Sequence, residues 1–213
     1  MKPEFSRPIT PYIVNQPYGV LDPSTYSQFG FIRHNGVDLR LSADKVVRSP
    51  FAGTVVRVGT PENGLWQPNG GGIFVGIVSD PMEFPAFTNR TPDGIAVLFP
   101  AGTYRVLVDF LHCESISVKE GDTVEALQPV AIGDNTGFST GPHCHTQWRR
   151  INWFGGTNYQ TVDKNNANDS FDPTQFFAAP DSEAIDRLAE AETDPKQKSI
   201  LKWLVNFLRA SGD

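Results

Sequence analysis

The chain has 213 residues, 24 of them acidic and 18 basic, for a formal net charge of -6 and a pI near 5.2. That balance argues against nucleic acid as a partner, because a nucleic-acid surface shows as a basic patch or stripe. With 39% hydrophobic and 11% aromatic residues the composition is that of a folded chain with one sizeable core, and 19 Gly with 17 Pro signal many turns.

Taken in chain order, residues 1–29 read as an extended segment expected to pack on the domain that follows. Pro3, Pro8, Pro11 and Pro17 break up MKPEFSRPITPYIVNQPYG, which holds no apolar stretch of the length a secretory signal needs. No run anywhere is long and apolar enough to predict a transmembrane helix. Residues 30–180 read as one mainly β domain. The clearest predicted strands lie in Val46–Gly59, Gly72–Ser79 and Tyr104–Cys113, and short strands broken by glycine turns predict antiparallel pairing. Thr54, Val56 and Val58 alternate with Val55 and Arg57, the pattern of a strand with one face on a core. The connection from Asp80 to Gly102 is much longer than a hairpin loop and is expected to line a binding site.

Residues 181–213 read as a helical hairpin. Ser182 caps a first helix on which Ile185 and Leu188 share a face, and Thr193, Asp194 and Pro195 give the start of a second. The second carries Ile200, Leu201, Trp203, Leu204, Val205, Phe207 and Leu208, too many apolar residues for one stripe of a solvated helix. It is expected to need a covering surface, on the rest of the chain, on another copy or on a protein partner.

The chemistry concentrates in the four histidines, His34, His112, His143 and His145. His143 and His145 are two apart in a predicted strand, so their rings share a face. Asp38 follows His34 by four positions through Asn35 and Gly36, bringing an oxygen and a nitrogen donor within reach of one ion. Imidazole and carboxylate suit zinc, and a catalytic zinc takes three protein ligands with a further position for water. Five groups for three ligand places leave two histidines for proton transfer and charge stabilisation. There is no H-E-x-x-H helix to supply a glutamate base, so the base falls to a histidine, and chemistry alone does not rank the four.

These residues together resemble the lysostaphin-type zinc endopeptidases of bacteria and phages, over roughly residues 30–150. The motif H-x-G-x-D stands as His34 to Asp38, the strand-turn-strand SPFAGTVVRVG as Ser49 to Gly59, and VKEGDTVEALQPVAIGDNTGFSTGPHCH runs from Val118 to the closing H-x-H at His145. The resemblance implies an antiparallel β-sheet core related to the biotinyl and lipoyl hybrid motif. It also implies that His34, Asp38 and His145 hold one zinc ion, that His143 acts as general base on the attacking water, and that His112 stabilises the oxyanion or positions the water. The activity implied is hydrolysis of peptide bonds in bacterial cell-wall peptidoglycan, in stem or cross-bridge peptides. With no leader in the sequence, the expected setting is the cell wall reached by lysis or on a phage particle, as a lysin or virion-borne hydrolase. The alternative is a zinc-binding structural or activator module of the same fold without activity.

Four positions depart from the usual pattern. Cys113 and Cys144 follow histidines where hydrophobic residues are usual and are expected as small buried hydrophobes rather than a disulfide. Phe110 and Thr146 replace the residues often found at those positions. Tyr26 lies near the place of an assisting tyrosine upstream of the first histidine. A biotinyl or lipoyl carrier domain would need an exposed lysine in a Met-Lys-Met or Asp-Lys-Ala turn, which the sequence lacks, and would leave every histidine unexplained.

Overall fold

A computed structural model of the chain describes residues 2–162, 170–177, 194–196, 198, 199 and 202. Contacts divide the chain into Met1–Phe177 and Ala178–Asp213. The expected helical hairpin lies outside the described residues except at its second start. There the Asp194 side chain accepts from the Lys196 amide at 2.8 Å and its carbonyl accepts from the Lys198 amide at 2.9 Å, as at the first turn of a helix.

The strands of the first unit all pair antiparallel. Its strands are β1 (Val14–Gln16), β2 (Val37–Leu39), β3 (Val46–Arg48), β4 (Gly53–Gly59), β5 (Ile73–Ser79), β6 (Met82–Phe84), β7 (Phe87–Arg90), β8 (Ala96–Phe99), β9 (Gly102–Ile116), β10 (Thr123–Val124), β11 (Pro129–Gly133), β12 (Cys144–Trp153) and β13 (Tyr159–Thr161). A short helix α1 (Pro23–Tyr26) starts on an Asp22 cap that accepts from the Thr25 amide. The main path of the large sheet runs β1-β2-β12-β9-β5-β4-β10, with β11 joining β3 to β9, β13 on β12 and β6 on β9. The fifteen residues of β9 are its spine, and β7 and β8 form a separate ribbon.

Alternation along the two central strands sorts residues between two faces. In β12, Cys144 and Trp148 enter the main core, while His145, Gln147 and Arg149 face a groove on the opposite side. In β9, Val106, Val108 and Phe110 enter the core and Asp109 and Leu111 face the groove. Strict alternation would then send His112 to the core side with Phe110. Instead β9 holds an extra residue at this point: Val75 opposes Phe110 while Ile73 opposes Cys113. His112 takes up the surplus in the left-handed region, with φ at 62°, so its ring joins Leu111 on the groove side and Cys113 returns to the core.

A second bulge corrects the expected alternation in β4. The register shifts between Val55 and Arg57, so Val55 and Val58 lie in the main core together, whereas Val56 packs on the other side with Val78, Leu107 and Ile151. Thr54, Val56 and Val58 therefore do not form one face. The N-terminal segment is built into the core. Phe5 is fully buried, its amide donates to the Phe176 carbonyl at 2.7 Å, and its ring lies 5.1 Å from Trp148 and 5.8 Å from Phe51.

The segment from Asp80 to Gly102 packs on the body of the domain. Phe84, Phe87 and Phe99 join Phe171 and Phe176 in an aromatic cluster. The buried Arg150 lies over Tyr104 at 4.2 Å and Phe99 at 5.0 Å and donates to the Pro100 carbonyl at 2.7 Å. Asp93, in the turn between β7 and β8, takes both Nη atoms of Arg33 at 2.6 and 2.7 Å.

Cys113 and Cys144 are buried free thiols. Burial pushes the Cys113 thiol up to about 12 and the Cys144 thiol well above its ordinary value, so neither is a thiolate at neutral pH. Two outcomes follow from this packing. Folded protein at pH 8 should show no titratable thiol with a disulfide reagent and two on unfolding; fast labelling of the folded protein would contradict the burial. Phe5→Ala should cost about 3–5 kcal/mol in a urea titration, and a loss under about 1 kcal/mol would show the N-terminal segment to be a loose strap.

Candidate metal centre

Three donors converge from three places in the chain. His34 follows a stretch in which the Gly19 and His34 amides exchange hydrogen bonds with the His34 and Val20 carbonyls, at 2.9 Å each. Asp38 lies in the middle of β2, and His145 stands opposite it on β12 in the antiparallel register. His34 Nε2 is 3.1 Å from Asp38 Oδ1 and 3.0 Å from His145 Nδ1, and His145 Nδ1 is 3.0 Å from Asp38 Oδ1. Gly36 makes this approach feasible. A Cβ there would lie 2.4 Å from the Thr146 carbonyl oxygen and 2.6 Å from His145 Nε2, so the middle of H-x-G-x-D has no room for a side chain.

The second bonds of the rings fix which nitrogen faces inward. His34 Nδ1 donates to the Pro17 carbonyl at 3.0 Å, which leaves a lone pair on Nε2. The Asp38 carboxyl is buried, which opposes its ionisation, yet the imidazoles of His145 and His34 beside it hold it well below the usual carboxylate range. Burial pushes His145 below its ordinary value, favouring the neutral ring. A carboxylate and imidazole lone pairs are thus aimed at one point, an arrangement that repels itself unless a cation or a proton sits between them. Nitrogen and oxygen donors about 2.0 Å from a tetrahedral zinc lie about 3.3 Å from one another. The observed spacings of 3.0–3.1 Å are close to that, so the residues fit the ion.

The other two histidines flank the cluster. His143 Nε2 is 3.5 Å from Asp38 Oδ1, and its Nδ1 faces the Gly141 carbonyl at 2.8 Å and Ser139 Oγ at 3.2 Å. His112 Nδ1 donates to the Thr136 carbonyl at 2.8 Å, and its ring centroid is 4.8 Å from that of His143. Burial, helped by His145 and His143, pushes His112 down to about 4, so it is neutral at pH 7 with its Nε2 lone pair available. All five residues singled out from the sequence therefore meet in one place.

Tyr26, eight positions upstream of His34, is there as well. Its ring stacks on His34 with centroids 5.6 Å apart, and Gln16 Nε2 donates to its hydroxyl at 2.9 Å. Burial raises the phenol to about 12, so it keeps its proton, and with Gln16 on the oxygen that proton is available to a ligand.

A groove of about 370 Å³ opens beside the cluster. Tyr26, Phe74, Leu111 and Phe138 form its walls near His112 and His145, and Arg57, Asp109, Gln147 and Arg149 lie farther along. No residue of Asp80–Gly102 lines it, which corrects the expectation that this long connection shapes a binding site. Its length serves the aromatic packing and the Arg33–Asp93 pair instead. The polar row from Arg57 to Arg149 was missed in the sequence; its signal was the odd recurrence of charged residues on strands whose other members are apolar.

No family model matches the chain. Over 127 residues, 60% of its length, it is 28% identical to lysostaphin of Staphylococcus simulans and 29% identical to the glycyl-glycine endopeptidase ALE-1 of Staphylococcus capitis. It spans 20% and 27% of those proteins, respectively. An uncharacterized metalloprotease of Haemophilus influenzae is 29% identical over 115 residues, 54% of this chain and 18% of that one. Among solved structures, the catalytic domain of lysostaphin from Staphylococcus simulans superposes with a TM-score of 0.47 at 24% identity, covering 78% of this chain and 91% of that one. The chain is a homologue of lysostaphin and ALE-1.

Proposed function

We propose that this chain is a zinc metalloendopeptidase that hydrolyses peptide bonds in bacterial cell-wall peptidoglycan, in the setting of a phage lysin or virion-borne hydrolase. The observation that carries the reading is the convergence of His34, Asp38 and His145, with donor atoms all within 4.8 Å of one another, beside two further imidazoles and a groove. Homology to a glycyl-glycine endopeptidase supports cleavage of peptide bonds. Self-association or docking through the C-terminal segment belongs to the same proposal, on the strength of its apolar Trp203, Leu204 and Phe207.

In this reading His34 Nε2, Asp38 Oδ1 and His145 Nδ1 hold the ion. Zinc supplies, when bound, Lewis acidity that favours ionisation of water near neutral pH and polarises a carbonyl. The Pro17 carbonyl holds the His34 ring in the tautomer the ion needs. His143, with Nδ1 engaged by the Gly141 carbonyl, presents Nε2 beside Asp38 and takes the proton of the attacking water. Neutral His112 accepts a hydrogen bond from that water through Nε2 and keeps it in line. The proton on His143 then goes to the leaving amine. Tyr26 donates a hydrogen bond from its hydroxyl to the oxygen on which negative charge grows, a role in which a phenol that stays protonated is effective.

The ligand set is tested by metal analysis of variants. His34→Ala, Asp38→Ala and His145→Ala should each lose both zinc and wall hydrolysis. His143→Ala and His112→Ala should keep the metal and lose turnover by a factor of roughly 10² or more. Full zinc and full activity in Asp38→Ala would sink the assignment, and zinc without hydrolysis in the unaltered chain would make it an inactive zinc module. Tyr26→Phe should keep zinc and lower kcat by roughly 10² with little change in KM; an unchanged kcat would remove Tyr26 from the reaction.

A further inference from the structure

The groove continues past the histidines into a charged row that the mechanism leaves unused. Arg57, Gly76, Asp109 and Gln147 stand opposite one another across β4, β5, β9 and β12. They lie two residues along β12 from the row that holds Asp38, His145 and Leu111, a step of about 7 Å. Asp109 is fully buried and takes Arg57 through Nε at 2.8 Å and through Nη2, and Arg149 Nη1 at 3.1 Å. Arg149 also donates to Gln147 Oε1, and both guanidiniums reach the Tyr159 hydroxyl, at 3.3 and 3.4 Å.

Two guanidiniums sharing one carboxylate leave one positive charge over. The planar donors of the pair exceed the acceptors offered to them, and both side chains line the groove with part of their surface open, 28% for Arg57 and 14% for Arg149. The row is held rigidly. Arg57 lies between Phe74 and Tyr159 at 5.9 Å from each ring. Gly76 leaves the floor open beneath it, since a Cβ there would lie 2.6 Å from Arg57 Cγ and 2.7 Å from Asp109 Oδ1. A held, net-positive pair of forks in a groove is the form that binds a carboxylate in two-pronged fashion.

Resting on the peptide-hydrolase reading, we propose that Arg57 and Arg149 form a subsite for a carboxylate of the substrate, on a residue within about two of the scissile bond. The substrate class is then a wall peptide that carries such a group, a stem or stem-to-stem cross-link containing a diamino diacid, rather than a plain glycine bridge. The carboxylate comes from the diamino acid or from the C-terminus of the peptide, and chemical capping separates the two.

The experiment is calorimetric titration of the zinc-loaded full chain with soluble tetrapeptides containing a diamino diacid. One peptide has both carboxylates free, one has the C-terminal carboxylate amidated, one has the diamino-acid carboxylate amidated, and pentaglycine amide is the neutral comparison. Amidating the recognised carboxylate should weaken binding about tenfold or more, while amidating the other should change little. That preference should shrink to within about twofold in Arg149→Gln and Arg57→Gln at unchanged zinc content, whereas a preference caused by the ion would survive in both. Each variant leaves Asp109 with one guanidinium, so the buried carboxylate stays paired. In the unaltered chain, the arginine Nε–H resonances should move with the free peptide and not with the capped one. Equal affinity of free and both capped peptides, static arginine resonances, or a preference that persists in both variants would overturn the subsite. A chain that shows the preference but cuts none of the peptides would sink the hydrolase reading and leave the subsite standing.

Discussion

Strand β12 is hydrogen-bonded on both sides, to β2 through Cys144, His145 and Thr146 and to β9 from His145 to Ile151. Because side chains alternate, the register of this one strand decides what faces the groove and what enters the core. With His145 opposite Asp38, the ring and the carboxylate share a face, while Cys144 and Trp148 anchor the opposite one. A slip of one residue would turn the imidazole toward the core, drive Gln147 or Arg149 in among Phe5, Phe51 and Phe177, and put Trp148 in the groove. The aromatic core therefore sets the site: Trp148 cannot leave its pocket, so His145 cannot turn away from Asp38. The indole N–H gives the register a further fixed point by donating to Thr146 Oγ1 at 3.1 Å.

Tautomers are set by the backbone in the same spirit. Three of the imidazoles have their Nδ1 against a carbonyl, of Pro17, Thr136 and Gly141, and each carbonyl belongs to a segment held by its own main-chain bonds. In the neutral form of each ring the inner nitrogen thereby carries the lone pair, which spares the reorganisation a flexible site would need. His145 differs, with Nδ1 itself turned inward beside His34 and Asp38.

Much of the site was legible because its residue types are costly to bury without a purpose and so stand out in a chain of apolar strands. His34, Asp38, His112, His143 and His145 announced themselves by type and spacing, and the β class by short alternating runs. What could not be read was phase. The left-handed turn at His112 and the bulge between Val55 and Arg57 each shift the parity of a strand, and nothing in LVDFLHC or GTVVRVG marks where the extra residue sits. The row of Arg57, Asp109, Gln147 and Arg149 was hidden for a related reason, since its members come from three strands and meet only once register is known. Length misled in the case of Asp80–Gly102, where a long connection was needed to carry Phe84, Phe87 and Phe99 into an aromatic cluster.

The Arg33–Asp93 pair ties the turn between β7 and β8 to the residue beside His34, and Arg33 Nη1 also donates to the Gly19 carbonyl at 3.1 Å. That turn lies far along the chain from the histidine motif and contributes nothing to the groove wall. Even so, it is mechanically in series with the first imidazole of the cluster. For anyone recombining domains of this kind, the ribbon is a mounting bracket rather than an interchangeable attachment. Exchanging it for a shorter hairpin from another protein would loosen the seat of His34 while leaving every groove-lining side chain in place.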